Sequence, residues 1–274
     1  MLKIIDSHFH IWDLSILRLA WLENFPSLNH NYFIQNYLDE YKNNDLEGAV
    51  YIEVDSHRDD KNKENEYVLK LNDKKIKAMI IGDKLQASML IPENHLLKGI
   101  REVLHTPDAK KGRCLEDDFK AGLQILGQKG LVFEACMRTQ ELEDMYECAK
   151  ESPKTRIILN HLGNPNLDVN YLKSLEFQRY QKSICLLAKL PNVVCKISGV
   201  DFSKVSLRDF KYLLYFCIDA FGEDRVMYGS NFPVCNLYTN VTQWISIILE
   251  CLKMKHERIK QKLFYENAKT FYQL

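Results

Sequence analysis

The feature that most constrains the fold is an alternation running the length of the chain: short, apolar, β-branched runs separated by longer segments with helical spacing. The runs cover residues 3–10, 48–54, 76–82, 99–105, 131–137, 156–161, 192–198 and 225–231. Helical periodicity falls between them at 33–43, 116–126, 140–150, 170–190 and 207–221, and in the tail at 241–253 and 256–271. Residues 86–91 compete with 76–82 for the third strand, and either choice predicts only a short helix before the fourth. Eight strand–helix units in 274 residues predict an α/β fold of one domain, a (β/α)8 TIM barrel over 1–274 with a C-terminal helical tail. The rival, an open doubly wound sheet, more often carries a glycine-rich phosphate loop after its first strand. Here that strand ends in histidines.

Composition serves to exclude. Lys+Arg and Asp+Glu both number 37, so nothing favours nucleic acid or an anionic membrane surface as partner. No stretch approaches the roughly 20 apolar residues of a membrane span. Charge appears by Lys3 and Asp6, so the N-terminus is not expected to be a signal peptide. The eight cysteines (114, 136, 148, 185, 195, 217, 235 and 251) are scattered singly, the pattern of buried reduced thiols rather than of disulfides or a thiolate metal site. A cytoplasmic protein acting on a small molecule is the expectation, and a homo-oligomer is compatible with it.

Strand residues of a parallel barrel should be apolar on both faces, and barrel active sites gather where strands end. Polar groups late in strands therefore mark candidates. With period-two alternation, Asp6, His8 and His10 are expected on one face, with Ile5 and Phe9 on the other. Glu53 ends the second run; Arg101 and His105 share a face of the fourth; Glu134 interrupts the fifth; His161 ends the sixth; Lys196 and Ser198 share a face of the seventh; Asn231 closes the eighth. A lone histidine at a strand end is more often a hydrogen-bonded structural residue. A His-x-His pair differs, because two imidazoles on one strand face can reach a shared ion or substrate. The segment 11–32, with Trp12, Trp21, Phe25 and His30, exceeds the usual strand–helix connection and reads either as a pocket wall or lid, or as a packed loop. Trp12 is its candidate for substrate contact, and His30, His57, His95 and His256 carry no expected role.

Six ordered blocks resemble the amidohydrolase superfamily, in the branch of sugar-acid lactonases that includes L-fucono- and L-rhamnono-lactonases. They are Ile5-Asp6-Ser7-His8-Phe9-His10-Ile11-Trp12, Lys98-Gly99-Ile100-Arg101-Glu102-Val103-Leu104-His105, Asn160-His161-Leu162-Gly163, Asn192-Val193-Val194-Cys195-Lys196-Ile197-Ser198-Gly199, Met227-Tyr228-Gly229-Ser230-Asn231-Phe232-Pro233-Val234 and Asn267-Ala268-Lys269-Thr270-Phe271-Tyr272. The resemblance implies a (β/α)8 barrel, hydrolysis, and a histidine site with or without a divalent metal. His8, His10 and His161 match the family's histidine positions. Many relatives have Asp, the proton acceptor for the attacking water, where this chain has Asn231. An amide is no general base and is a poorer ligand for a hard cation.

Two schemes for opening a lactone ring follow. In one, His8, His10 and His161 hold a divalent metal, Zn²⁺ first, that activates water, with Asn231 orienting water or substrate. In the other there is no metal, and His161 or a carboxylate such as Glu53 or Glu134 is the base while Arg101 and Lys196 stabilise the oxyanion. An optional, loosely held metal fits the loss of the carboxylate. His161, Asn231 and Arg101 are thus the catalytic candidates, and Trp12, Glu53, His105, Glu134 and Lys196 the substrate-binding ones. An ion pair of Arg101 with Glu53 or Glu134 is the structural alternative. Two other functions compete: a metal-dependent non-oxidative decarboxylase on the same barrel, and a catalytically impaired binding protein.

Overall fold

The computed structural model describes residues 2–168 and 170–274. Eight parallel strands follow one another in sequence order: β1 (Lys3–Phe9), β2 (Asp45–Ile52), β3 (Ile76–Gly82), β4 (Leu97–Leu104), β5 (Val132–Met137), β6 (Arg156–Leu159), β7 (Val193–Ile197) and β8 (Val226–Tyr228). Around them lie α1 (Ile34–Glu40), α2 (Lys61–Leu71), α3 (Asp117–Gln128), α4 (Leu142–Glu151), α5 (Leu175–Ala188), α6 (Leu207–Phe221) and α7 (Val241–Cys251), followed by α8 (Glu257–Gln261) and α9 (Asn267–Tyr272). This is the TIM barrel that the alternation predicts, with the third strand at the earlier of its two positions.

Two departures have local causes. α2 carries a single buried apolar side chain, Val68, so its polar sequence has no helical stripe to read. The short helix expected between the third and fourth strands is absent. That connection is irregular, held by Leu85, whose N–H is donated to Glu102 and whose carbonyl accepts from Arg113.

Alternation along the strands makes two apolar layers. Ile5, Val50, Ile52, Ala78, Ile80, Val132, Ile158, Val194 and Met227 fill the barrel, and α9 adds Ala268 and Tyr272 to the same cluster. α9 plugs the N-terminal end, where Arg156 and Lys98, at the starts of their strands, donate to the carbonyls of Phe271 and Gln273. Residues of the other face, such as Ile4, Phe9, Ile100, Phe133 and Ile157, pack against the helices.

β1 departs from simple alternation. Its register with β2 slips between Asp6 and Phe9, a bulge that re-aims side chains within a strand. Ile5 therefore points into the barrel and Asp6 out of it, and His8 returns to the interior. The expectation that Asp6 shares a face with His8 and His10 is corrected by this slip. Asp6 instead closes the barrel: it accepts from Ser230 N (2.8 Å) and Oγ (2.6 Å) beyond β8, and from the Tyr37 and Tyr41 hydroxyls of the α1 region. Burial pushes its pKa up, against the lowering effect of the Ser230 bonds. Asn231 N to His8 O (2.8 Å) and His10 N to Phe232 O (2.7 Å) complete the seam.

Candidate active site

Three imidazoles converge at the C-terminal mouth of the barrel. The His8 ring centroid lies 4.9 Å from that of His10 and 4.7 Å from that of His161. The Nε2 atoms of His8 and His10 stand 3.1 Å apart. Nδ1 of His10 is 2.8 Å from the Ile52 carbonyl, which can only accept, so the His10 proton sits on Nδ1 and its Nε2 keeps a lone pair. His8 then donates through Nε2 and accepts at Nδ1 from the Lys196 ammonium, 3.3 Å away. The hydrogen bonds run in one direction, from Lys196 through both histidines to the β2 backbone.

Burial is the main reason these rings stay neutral. It lowers the His10 pKa to about 3, with the Arg101 guanidinium adding to the effect. It holds His8 well below the ordinary imidazole value, helped by Lys196, and His161 likewise, helped by Arg101.

One layer below lie Glu134 and Lys196, both fully buried and 2.7 Å apart. Glu134 also accepts from Asn160 and from the Tyr272 hydroxyl of α9. Burial lowers Lys196 to about 8, against the pull of Glu134 in the other direction. Both Glu134 oxygens are engaged, so this pair supports the histidines from beneath. The expected substrate contact for Glu134 and Lys196, and the base role for Glu134, give way to that support.

His161 lies beyond β6 in a left-handed backbone conformation (φ 52°), an uncommon state for histidine and one that recurs at functional sites. Its Nδ1 is 2.8 Å from Ser198 Oγ. Its ring occupies the space that a side chain at position 199 would need: a Cβ on Gly199 would stand 2.5 Å from Nδ1. Gly229 backs His8 in the same way, with 2.8 Å from a hypothetical Cβ to the His8 Cβ. The glycines of the Ser-Gly and Gly-Ser-Asn blocks are there to admit histidines.

Arg101 pairs with Glu53, the structural alternative that the sequence left open. Nε donates to the carboxylate and Nη2 to the Glu53 carbonyl, both at 2.6 Å. Lys61 holds the other carboxylate oxygen at 2.8 Å. Burial pushes Glu53 up, but Arg101 and Lys61 together bring it down to about 2. So weak a base, pinned on both sides, is no proton acceptor, and Glu53 serves to orient Arg101. Nε and Nη2 being taken, Nη1 is the nitrogen left for an incoming oxygen. Arg101 also lines a polar cleft of about 670 Å³ with Asp55, Arg58, Lys61 and Lys84, a cleft whose lining does not include the three histidines.

Asn231 is left-handed (φ 58°), a conformation that Asn tolerates better than most residues, and its side chain faces His10. His105 is exposed at the rim and meets Cys136 Sγ at 3.3 Å. Trp12 is corrected: fully buried, it donates its indole N–H to the His30 carbonyl and packs edge-on to Trp21 and Tyr32. Neither its ring nor its polar tip is open to a ligand. The segment 11–32 is a packed wall, tied by the Trp12–Tyr32 bridge and by Trp21 Nε1 to Val54 O (2.9 Å). His30, His57, His95 and His256, to which the sequence assigns no role, are exposed. The sequence reading missed Cys136, though alternation from Glu134 points it into the barrel mouth, and missed Tyr272, which reaches the site only through the tail's return.

The donors fit a divalent cation at two points. Two Nε2 atoms about 2.0–2.1 Å from one tetrahedral zinc stand about 3.4 Å apart, close to the 3.1 Å seen here. Among the described residues no set of three His, Cys, Asp or Glu side chains is gathered for a metal, and the His161 ring stands 4.7 Å from that of His8. Ligating histidines usually give their second N–H to an acceptor; His10 does, whereas His8 faces an ammonium.

The profile of the amidohydrolase family matches residues 91–274. A solved structure, amidohydrolase 2 from Bifidobacterium longum subsp. infantis, is 33% identical with TM-score 0.84, covering 100% of both chains. An amidohydrolase from Burkholderia multivorans solved with bound zinc superposes with TM-score 0.88 at 23% identity over 99% of both chains, a likeness of fold. Among curated proteins, the L-fucono-1,5-lactonase of Burkholderia multivorans is 25% identical over 89% of this chain and 86% of its own. With its histidine-ended barrel and a matching profile over two thirds of its length, this chain belongs to the amidohydrolase family.

Proposed function

We propose that the protein is a hydrolase that opens the ring of a sugar-acid lactone, an aldonolactone such as an L-fucono- or L-rhamnono-lactone. The observation that carries the reading is the convergence of three neutral imidazoles within the electrostatic reach of Arg101, in a chain 25% identical to a curated lactonase. Arg101 offers Nη1 to the ring carbonyl oxygen, where negative charge grows during attack, and Glu53 fixes its orientation. In the tautomer whose Nδ1–H is given to the Ser198 hydroxyl, His161 keeps a lone pair on Nε2 to take a proton from water. The water oxygen bonds to the carbonyl carbon, the ring C–O bond breaks, and the alkoxide takes the proton back from His161. Asn231, unable to act as base, orients water or a sugar hydroxyl through its amide.

His8 and His10 are the residues that would hold a divalent metal, zinc being the ion bound in one relative. Bound there, it would polarise the carbonyl and lower the pKa of water. An ammonium facing His8 and a neutral amide facing His10 favour a loosely held ion over a tightly bound one.

The test is a panel of aldonolactones followed by pH indicator, alongside aromatic acids followed by CO2 release, each with chelator and with added Zn²⁺. Lactone turnover abolished in His161→Asn supports the reading. Release of CO2 without lactone turnover favours a decarboxylase, and inactivity on both panels sinks the assignment.

A further inference from the structure

A second reactive pair stands at the mouth of the same barrel. β5 alternates Val132, Glu134 and Cys136 toward the interior, with Ala135 and Met137 in the outer layer. Cys136 is therefore the next side chain above Glu134 on that face, at the strand's C-terminal end. Opposite it, on β4, His105 places Nδ1 3.3 Å from Sγ. We propose that Cys136 and His105 form a thiolate–imidazolium pair that is a covalent modification site for hydroperoxides.

The surroundings support it. Reactive thiols lie in electropositive, partly accessible places, and structural ones do not. The charged groups facing the pair are Arg101 on β4 and Asp55 beyond β2, with the Asn164 amide also against the sulfur. Burial pushes Cys136 up, yet His105 and Arg101 bring it net below the usual thiol value, while Cys136 in turn raises His105. Five other thiols, Cys114, Cys148, Cys195, Cys235 and Cys251, are pushed up, in each case with burial as a cause. Cys136 is nearly covered, and the exposed His105 ring is the solvent-side member of the pair. Only a small electrophile suits such a site.

In the step, the thiolate attacks the peroxide oxygen, the S–O bond forms and the O–O bond breaks. Sulfur loses two electrons to become a sulfenic acid, and the released alkoxide or hydroxide takes the proton of the His105 imidazolium. The pair does not depend on the lactonase reading, and its test does not use activity.

The protein is treated with hydrogen peroxide at near-neutral pH, trapped with dimedone, and its cysteine peptides are compared by mass spectrometry. Exposed Cys185 is the internal control. The expected result is a Cys136 adduct forming at least about tenfold faster than that of Cys185, and slowed about tenfold in His105→Gln while Cys185 is unchanged. Modification that follows exposure, with Cys185 first and Cys136 untouched, overturns the proposal. So does an unchanged Cys136 rate in His105→Gln. If that variant misfolds, reported by a changed Cys185 rate, the order of the two sites in the unaltered protein decides.

Discussion

The Cβ that Gly199 lacks would lie 2.5 Å from Nδ1 of His161, so the smallest residue of β7's exit loop determines where an imidazole from β6 can stand. Gly199 also has φ of 65°, which L side chains rarely adopt. Two independent constraints fall on one position, and both serve the site.

Gly199→Ala is therefore expected to displace His161 and break its bond to Ser198. Lactone kcat/KM should fall about 100-fold or more, the scale on which small misplacements of catalytic groups act. Thermal melting run in parallel separates this from unfolding. A variant with near-normal kcat/KM would mean that His161 does not need its present position.

Asn231→Asp tests the residue at which this chain departs from the pattern that the family resemblance implies. Asp shares asparagine's tolerance of left-handed backbone, so the change alters charge with little strain. A carboxylate beside His10 adds a hard donor, and Zn²⁺ affinity measured by calorimetry should rise by about tenfold or more. An unchanged affinity would remove Asn231 from the neighbourhood of any bound ion.

The Lys196–Glu134 pair has no exposed surface, so removing one charge strands the other. Lys196→Met or Glu134→Gln alone should cost about 3–5 kcal/mol in denaturant unfolding, and the double replacement much less than the sum. Additive losses would show that the two charges are not coupled.

Glu53 gives a pH signature. Its folded pKa of about 2 lies below the ordinary 4.5, so its contribution is fully present above 4.5 and is lost as pH falls from there toward 2. The shift corresponds to about 3 kcal/mol. Glu53→Gln should be less stable than the unaltered protein at neutral pH, with the difference shrinking across that acid window. A constant difference from neutral pH to 2 would contradict the ion pair with Arg101 and Lys61.

Much of the protein was legible in the order of its residues. Periodicity is local, so eight apolar runs and the helices between them reveal a barrel, and polar residues late in those runs mark its mouth. His8, His10, His161, Arg101 and Asn231 were visible for that reason. Their partners were not, because pairing is decided between strands. The bulge in β1 sends Asp6 outward and His8 inward, and strict alternation from sequence cannot contain it. Whether Arg101 takes Glu53 or Glu134 depended on which carboxylate lay within reach, and whether Cys136 is inert depended on His105 facing it across a strand pair. The sequence alone determined the scaffold and the kinds of group at its rim. Tertiary structure decided which of them touch, because hydrogen bonds and charge pairs act over a few ångströms between residues as far apart as Glu134 and Tyr272.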